Sequence, residues 1–243
     1  MDPRDEMDRM YRVQRHFYDV TREYYLLGRD RLLREMQIRE GDNVLEVACG
    51  TARNLIAAAA LQPKAHYYGL DASNAMLKTA AAKIAKSRHA GKIVLKQCLA
   101  EEFTYKDTFG LNRPFDSIFF SYGLSMIPAW PQAIEVALQN LRPGGSLYIV
   151  DFWDQQELPA VFRIMLARWL AAFGVIHRPE LLTHLRELGA NGTGELSIQS
   201  IRRRYAYLAH FIKAQQETLS GRVQSTSTRE PINGLVVASN LLH

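Results

Sequence analysis

Residues 44–54, Val-Leu-Glu-Val-Ala-Cys-Gly-Thr-Ala-Arg-Asn, read as a short apolar strand, a turn of small residues and the start of a helix. Such a turn lets backbone approach a ligand closely and aims helix N–H groups at it. In dinucleotide sites a pyrophosphate occupies this place. Here the acidic Glu46 stands just before the turn, and its charge would repel a phosphate. A ligand carrying an ammonium and a sulfonium group would be welcomed by the same charge. The residues therefore favour a positively charged nucleoside, S-adenosylmethionine, over a nicotinamide dinucleotide. A buried structural role for Glu46 is the alternative, at the cost of an unpaired buried charge. Cys49 reads as a small filler of the turn rather than a nucleophile.

Three further signals follow in order. Asp71 lies 21 residues past Gly50 and ends Tyr68-Gly69-Leu70-Asp71; a carboxylate there can accept both ribose hydroxyls. Ala100-Glu101 falls where an adenine edge is expected, and Arg142-Pro143-Gly144-Gly145 leads into another strand. Together they resemble the class I S-adenosylmethionine-dependent methyltransferases over residues 42–151. That resemblance implies that Glu46 takes the methionine amino end and that Ala48, Gly50 and Ala52 occupy the glycine positions of the family loop. It also implies that Asp71 holds the ribose, that Ala72 and Met76 flank the adenine, and that Ala100, Glu101 and Ser121 complete the cofactor site. Alanine disfavours positive φ, so the turn is expected to keep φ negative at Ala48 and Ala52. Leu99 stands where many members carry an acid, so adenine recognition is expected to rest on backbone near Ala100.

These residues need elements to hold them. Strands are expected at 44–48, 66–70, 92–98, 116–121 and 146–151, and helices at 54–61, 73–87 and 129–140, with Ser73 as an N-cap. Residues 142–145 read as a tight turn. Alternating strands and helices predict an α/β fold, Rossmann-like, with a mostly parallel central sheet and helices on both faces. Beyond this core, 159–173 and 178–188 read as helices, and 195–213 as an antiparallel pair turning near Arg203. Residues 7–36 read as helix broken near Gly28. The expected organisation is a helical cap over 1–40, a cofactor-binding domain over 41–214 and a tail over 215–243.

The cap carries tyrosines, arginines and a histidine, and in this fold such a segment can lie over the open strand ends. With 121–130 and 150–154 it resembles the BtaB-type N-methyltransferases of betaine-lipid synthesis over residues 10–213. The resemblance implies three successive methylations of diacylglycerylhomoserine to diacylglyceryl-N,N,N-trimethylhomoserine. Methyl transfer is an in-line displacement in which the enzyme mainly positions the reactants. Aromatic faces stabilise its cations, and Tyr18, Tyr25 and Tyr122 are the candidates, with Tyr24 and Trp153 behind them; packing on the core is the other reading. His16 and Asp19 are candidate proton acceptors, or an exposed ion pair. Residues 158–176 offer Phe162, Leu166, Trp169 and Phe173 at helical spacing with Arg163 and Arg168, either as a membrane-facing stripe or as a core helix.

The chain has 243 residues, 47% apolar and 23% charged, and a net charge of +5. This is an ordinary globular balance whose excess of base suits acidic partners such as anionic lipid or nucleic acid. Lys78, Lys83, Lys86, Arg88 and Lys92, and separately Arg202, Arg203 and Arg204, concentrate it, or form solvated faces. No nucleic-acid recognition module is present and no nucleic-acid partner is expected. Two cysteines make no disulfide framework, no Cys or His spacing suits a metal, and the charged start is no secretory signal. The expectation is a cytoplasmic enzyme touching the inner face of the membrane peripherally. Phosphatidylethanolamine, a quinone or a small amine are the alternative acceptors; a nucleic-acid methyltransferase and a nicotinamide-dependent dehydrogenase are the other classes.

Overall fold

Every residue of β1 (Asn43–Val47) is buried, as a strand covered on both sides of a sheet must be. The computed structural model describes residues 26–172, 176 and 178–215. β1 pairs in parallel with β2 (His66–Asp71) on one side and β4 (Phe115–Ser121) on the other. β3 (Ile93–Gln97) extends the sheet beyond β2, and β5 (Leu141–Phe152) extends it beyond β4, again in parallel. β7 (Ala206–Lys213) runs antiparallel between β5 and β6 (Gly194–Ile201). The order is β3-β2-β1-β4-β5-β7-β6. It reverses between β1 and β4, and a crevice opens at the carboxyl ends of strands where such a reversal occurs.

Two apolar clusters line the two faces of the sheet. One gathers α1 (Arg29–Glu35), α2 (Arg53–Leu61), α3 (Asn74–Ala85) and α5 (Ala160–Ala172), through Leu32, Leu55, Ala58, Ala80, Leu166 and Leu170. The other gathers α4 (Trp130–Gln139) and α6 (Glu180–Ala190), through Ala133, Ile134, Ala137, Leu181 and Leu185. Ser73 caps α3 as expected, its hydroxyl accepting from Met76 N–H at 3.3 Å. The antiparallel pair also turns where expected, through Arg202, Arg203 and Arg204 at φ 48, 55 and 57°. Gly28 holds φ 90° at the start of α1, and a Cβ there would clash with the Ile201 side chain.

One expected turn is not a turn. Residues 142–145 belong to β5, whose pairing with β4 slips register between Phe115 and Ser117. Looped-out residues in a strand are a bulge. Arg142 is fixed there by its Nε, which donates to Asp116 Oδ1 at 2.7 Å. Asp116 also accepts from Arg113 at 2.6 Å and from the buried Asn43 N–H at 2.8 Å, fastening β1, β4 and β5 at their amino ends. Burial alone would raise this carboxyl; the bonds from Asn43, Arg142 and Arg113 outweigh it and hold it below the ordinary range.

His16, Tyr18, Asp19, Tyr24 and Tyr25 fall outside the described residues, as do most of the expected cap and the tail beyond Gln215. No helix among the described residues is long and apolar enough to cross a membrane.

Candidate functional site

Glu46 stands next to last in β1, opposite Gly69 of β2 and Phe119 of β4. It is only 1% exposed. Its Oε1 accepts from Asn54 Nδ2 at 2.7 Å, so the first turn of α2 reaches back across the loop to fix the carboxylate. Asp71 ends β2 and is equally tied down: Oδ2 accepts from Gly50 N–H at 2.8 Å and Oδ1 from Ser73 N–H at 2.9 Å. The loop donor that a phosphate would use is thus already met by an internal carboxylate. Each carboxylate oxygen offers two lone pairs, so Asp71 keeps capacity for ribose hydroxyls.

The loop between them departs from expectation. Ala48 has φ 57°, Gly50 φ 54° and Ala52 φ 60°. Both alanines adopt the left-handed region that their sequence disfavours, and neighbours enforce it. Ala52 is fully buried and sits as the N-cap of α2. Ala48 packs toward Gly123, where an added Cβ would lie 3.0 Å from the Ala48 Cβ. Left-handed alanine costs on the order of 1–2 kcal/mol per residue, which the fixed path of this loop must offset.

A cavity of about 530 Å³ opens at the carboxyl ends of β1, β2 and β4, within the range of small-molecule sites. Glu46, Ala48, Gly50, Asp71, Ala72, Met76, Ala100, Glu101 and Ser121 all line it, gathered into one space, while Ala52 of the same loop is buried behind it. Tyr122 lines it too. Its ring packs edge-on to Phe152 at 4.7 Å, and its hydroxyl donates to Leu27 carbonyl at 2.5 Å. Packing of the segment before α1 therefore accounts for that hydroxyl. Trp153 is not in the cavity lining; the Arg204 guanidinium lies 4.6 Å over its ring.

Electrostatics agree with the sign read from the sequence. The Cys49 thiol is raised well above its ordinary value, first by burial and then by the charges of Asp71 and Glu46. A field that opposes a thiolate favours a cation at the same place. Burial and these two charges disfavour the thiolate, which argues against Cys49 as a nucleophile. Sequence reasoning missed Arg29, Thr51, Arg53, Asn54 and Lys83, which also line the cavity. Arg53 bonds Asp30 at 3.1 Å, and Lys83 donates to Thr51 Oγ1 at 3.0 Å. Arg29 and Arg53 could receive the carboxylate of an amino-acid moiety whose amine faces Glu46. Thr51, Arg53 and Asn54 fall within the 44–54 segment itself, whereas Arg29 and Lys83 come from helices outside it.

Beyond the cofactor residues the wall turns apolar: Leu26, Gly123, Met126, Ile127, Pro128 and Ile176. Among the described residues the acids of the cavity are Glu46, Asp71 and Glu101, all on the cofactor side. The donor set, a carboxylate pair at the β1 and β2 ends with small residues between, fits an adenosine bearing a cationic amino-acid arm.

Fold and site together define the Rossmann-like class of S-adenosylmethionine-dependent methyltransferases, and the cofactor is S-adenosylmethionine. A family described as "Methyltransferase domain" matches residues 38–189, and the chain belongs to it. Relatives named demethylmenaquinone methyltransferase include one from Listeria welshimeri, 32% identical over 159 residues, or 64% of each chain. Another, from Geobacillus kaustophilus, is 30% identical over 152 residues, 58% of this chain and 62% of its own. The match thus spans somewhat less than two thirds of these relatives. Among solved structures, the complex between the Haloferax volcanii Trm112 methyltransferase activator and a methyltransferase gives a TM-score of 0.68 at 13% identity, covering 86% of this chain and 97% of the other. At that identity the likeness is one of fold. The finer resemblance to betaine-lipid enzymes finds no support in these relatives, whose names point to a quinone.

Proposed function

We propose that this protein transfers the methyl group of S-adenosylmethionine to a lipid-soluble acceptor, leaving S-adenosylhomocysteine, and that the acceptor is the reduced, hydroquinone form of a quinone ring lacking a methyl group. The observation that carries this reading is the apolar wall of Leu26, Met126, Ile127 and Ile176 beside a polar cofactor pocket. A cationic amine would find no carboxylate on that side among the described residues, whereas a flat ring with an apolar tail needs none. The names of the relatives, demethylmenaquinone methyltransferase, support a quinone within that chemistry.

The cofactor supplies an electrophilic methyl group on a sulfonium. The chain's part is to bind, orient and exclude water. Glu46 and Asp71 hold the cationic nucleoside, and the rigid loop of Ala48, Gly50 and Ala52 sets its height. The apolar wall places the nucleophile in line and keeps competing water out. As the new bond to methyl forms, the acceptor loses a proton. His16 and Asp19 are the proposed proton acceptors, on residue type and spacing.

The second reading is methylation of the amine of diacylglycerylhomoserine; what favours it is the aromatic content of the 10–25 segment, able to face a cation. One experiment separates the two. Purified protein is incubated with S-adenosylmethionine and either a reduced demethylnaphthoquinone or diacylglycerylhomoserine, and products are weighed by mass spectrometry. The expected result is gain of a single methyl group by the quinol alone. Successive gains on the amino lipid with none on the quinol would reverse the assignment.

A further inference from the structure

Helix α5 (Ala160–Ala172) buries one side and leaves another apolar side in water. Leu166 and Leu170 are buried, and Trp169 packs against the same core. Of Phe162, Leu166, Trp169 and Phe173, expected either as a membrane-facing stripe or as a core helix, Leu166 and Trp169 face the core, Phe162 is exposed, and Phe173 lies outside the described residues. The outward side is formed by Val161, Ile164 and Met165, which are 72, 53 and 66% exposed. They follow one another at the i, i+3, i+4 spacing of a single helix face, and Arg168 continues it one turn on. A surface helix ordinarily shows polar residues there, and an apolar outer face marks an interaction site.

Charge indicates the partner. The helix carries Arg163 and Arg168, both exposed, and no acidic residue. The turn between β6 and β7 adds exposed Arg202 and Arg203, held in left-handed backbone. Because β7 runs antiparallel to β5, its start pairs with the end of β5, Phe152 with Ala206. This basic turn therefore lies at the carboxyl edge of the sheet, the edge from which α5 departs and where the cavity opens. Ile176, four residues past the end of α5, stands at the cavity. It is 55% exposed and donates its N–H to Ser125 carbonyl at 3.2 Å.

We propose that the outer face of α5, with Arg168 at its end and Arg202 and Arg203 of the neighbouring turn, docks on an anionic phospholipid bilayer. The helix lies along the interface with Val161, Ile164 and Met165 among the acyl chains and the guanidinium groups among the lipid phosphates. This brings the cavity mouth at Ile176 to the membrane, so that an acceptor with a long apolar tail can enter without leaving the lipid. The inference rests on the lipid-soluble acceptor proposed above.

The test is co-sedimentation of the full chain with two kinds of vesicle, phosphatidylcholine alone and phosphatidylcholine containing phosphatidylglycerol, with neither cofactor nor acceptor present. Binding to the anionic vesicles is expected, falling with added salt. The pair Ile164→Glu and Met165→Glu should reduce it by at least about tenfold, and Arg202→Gln with Arg203→Gln by roughly fivefold or more. S-adenosylhomocysteine affinity should be unchanged in every variant, which excludes misfolding. No binding by the parent protein would overturn the proposal, as would binding indifferent to the substitutions. A concentration-dependent dimer abolished by the α5 pair would reassign the face to a second copy of the chain. Vesicle binding is scored without methyl transfer, so this proposal and the acceptor assignment fail separately.

Discussion

A carboxylate that is 1% exposed and bonded to Asn54 needs a reason to stay charged, and a cationic ligand amine supplies one. Replacing Glu46 by Gln keeps the shape and removes the charge, whereas Asp71→Asn also disturbs the bonds to Gly50 and Ser73. Each should weaken S-adenosylhomocysteine binding by about 1–3 kcal/mol, the scale of a hydrogen bond to a charged group. Isothermal titration reads the affinity, and Asp71→Asn should in addition lower the melting temperature while Glu46→Gln should not. Equal affinity in both variants and parent would remove these residues from the site. Both were legible in the sequence because charge at a fixed offset from a small-residue turn is a one-dimensional signal. The backbone at Ala48 and Ala52 was not. Intrinsic preference argues for negative φ there, and the approach of Gly123 and the burial of Ala52, which overrule it, exist only once β4 and α2 are packed. Arg29 and Lys83 were invisible for the same reason: they come from α1 and α3, and only the assembled sheet brings them to one cavity.

Asp151, near the end of β5, is the element-scale counterpart. Its carboxylate accepts from Ser125 N–H at 3.0 Å and Phe152 N–H at 2.8 Å, tying β5 to the loop after β4 whose residues wall the acceptor side. Burial pushes it up to about 6, against the bonds from Phe152 and Ser125 and the charge of Arg178. A carboxyl raised in the folded state costs nothing below its ordinary value near 4, where both states are protonated. As pH rises toward about 6 the unfolded chain ionises first, so folding stability falls, and above 6 the loss is complete. The full loss is on the order of 3 kcal/mol. Urea unfolding across this range should show the decline in the parent protein and a flatter curve in Asp151→Asn; superimposable curves would assign the decline to other groups. Elements themselves were largely legible, since buried parallel strands announce themselves as apolar runs and α3 by its Ser73 cap. The 142–145 segment was misread because Pro-Gly-Gly is turn chemistry, and only the pairing of Phe115 with Leu141 and the grip of Asp116 on Arg142 draw it into β5. Which side of α5 meets the core was left open, because a helix apolar on both sides has no periodicity to decide it; Leu166 and Trp169 take the inner side.

At the scale of the molecule, the cavity is assembled from the ends of β1, β2 and β4 and from the loops after β3 and β4, so a ligand there joins segments that unfolding separates. Anything that binds only the folded chain stabilises it by mass action, by about 2.7 kcal/mol at a hundredfold excess over its dissociation constant. For a domain of this size each kcal/mol moves the melting temperature by roughly 2–4 °C. S-adenosylhomocysteine at that excess should therefore raise it by roughly 5–10 °C. NADH at equal concentration should leave it unmoved, because its pyrophosphate would have to displace Asp71 from Gly50 N–H and lie beside Glu46. Differential scanning fluorimetry makes the comparison directly. Stabilisation by NADH, or by both ligands alike, would mean that the two carboxylates do not select the charge of the ligand; the choice of a sulfonium nucleoside would then have to come from the shape of the cavity alone.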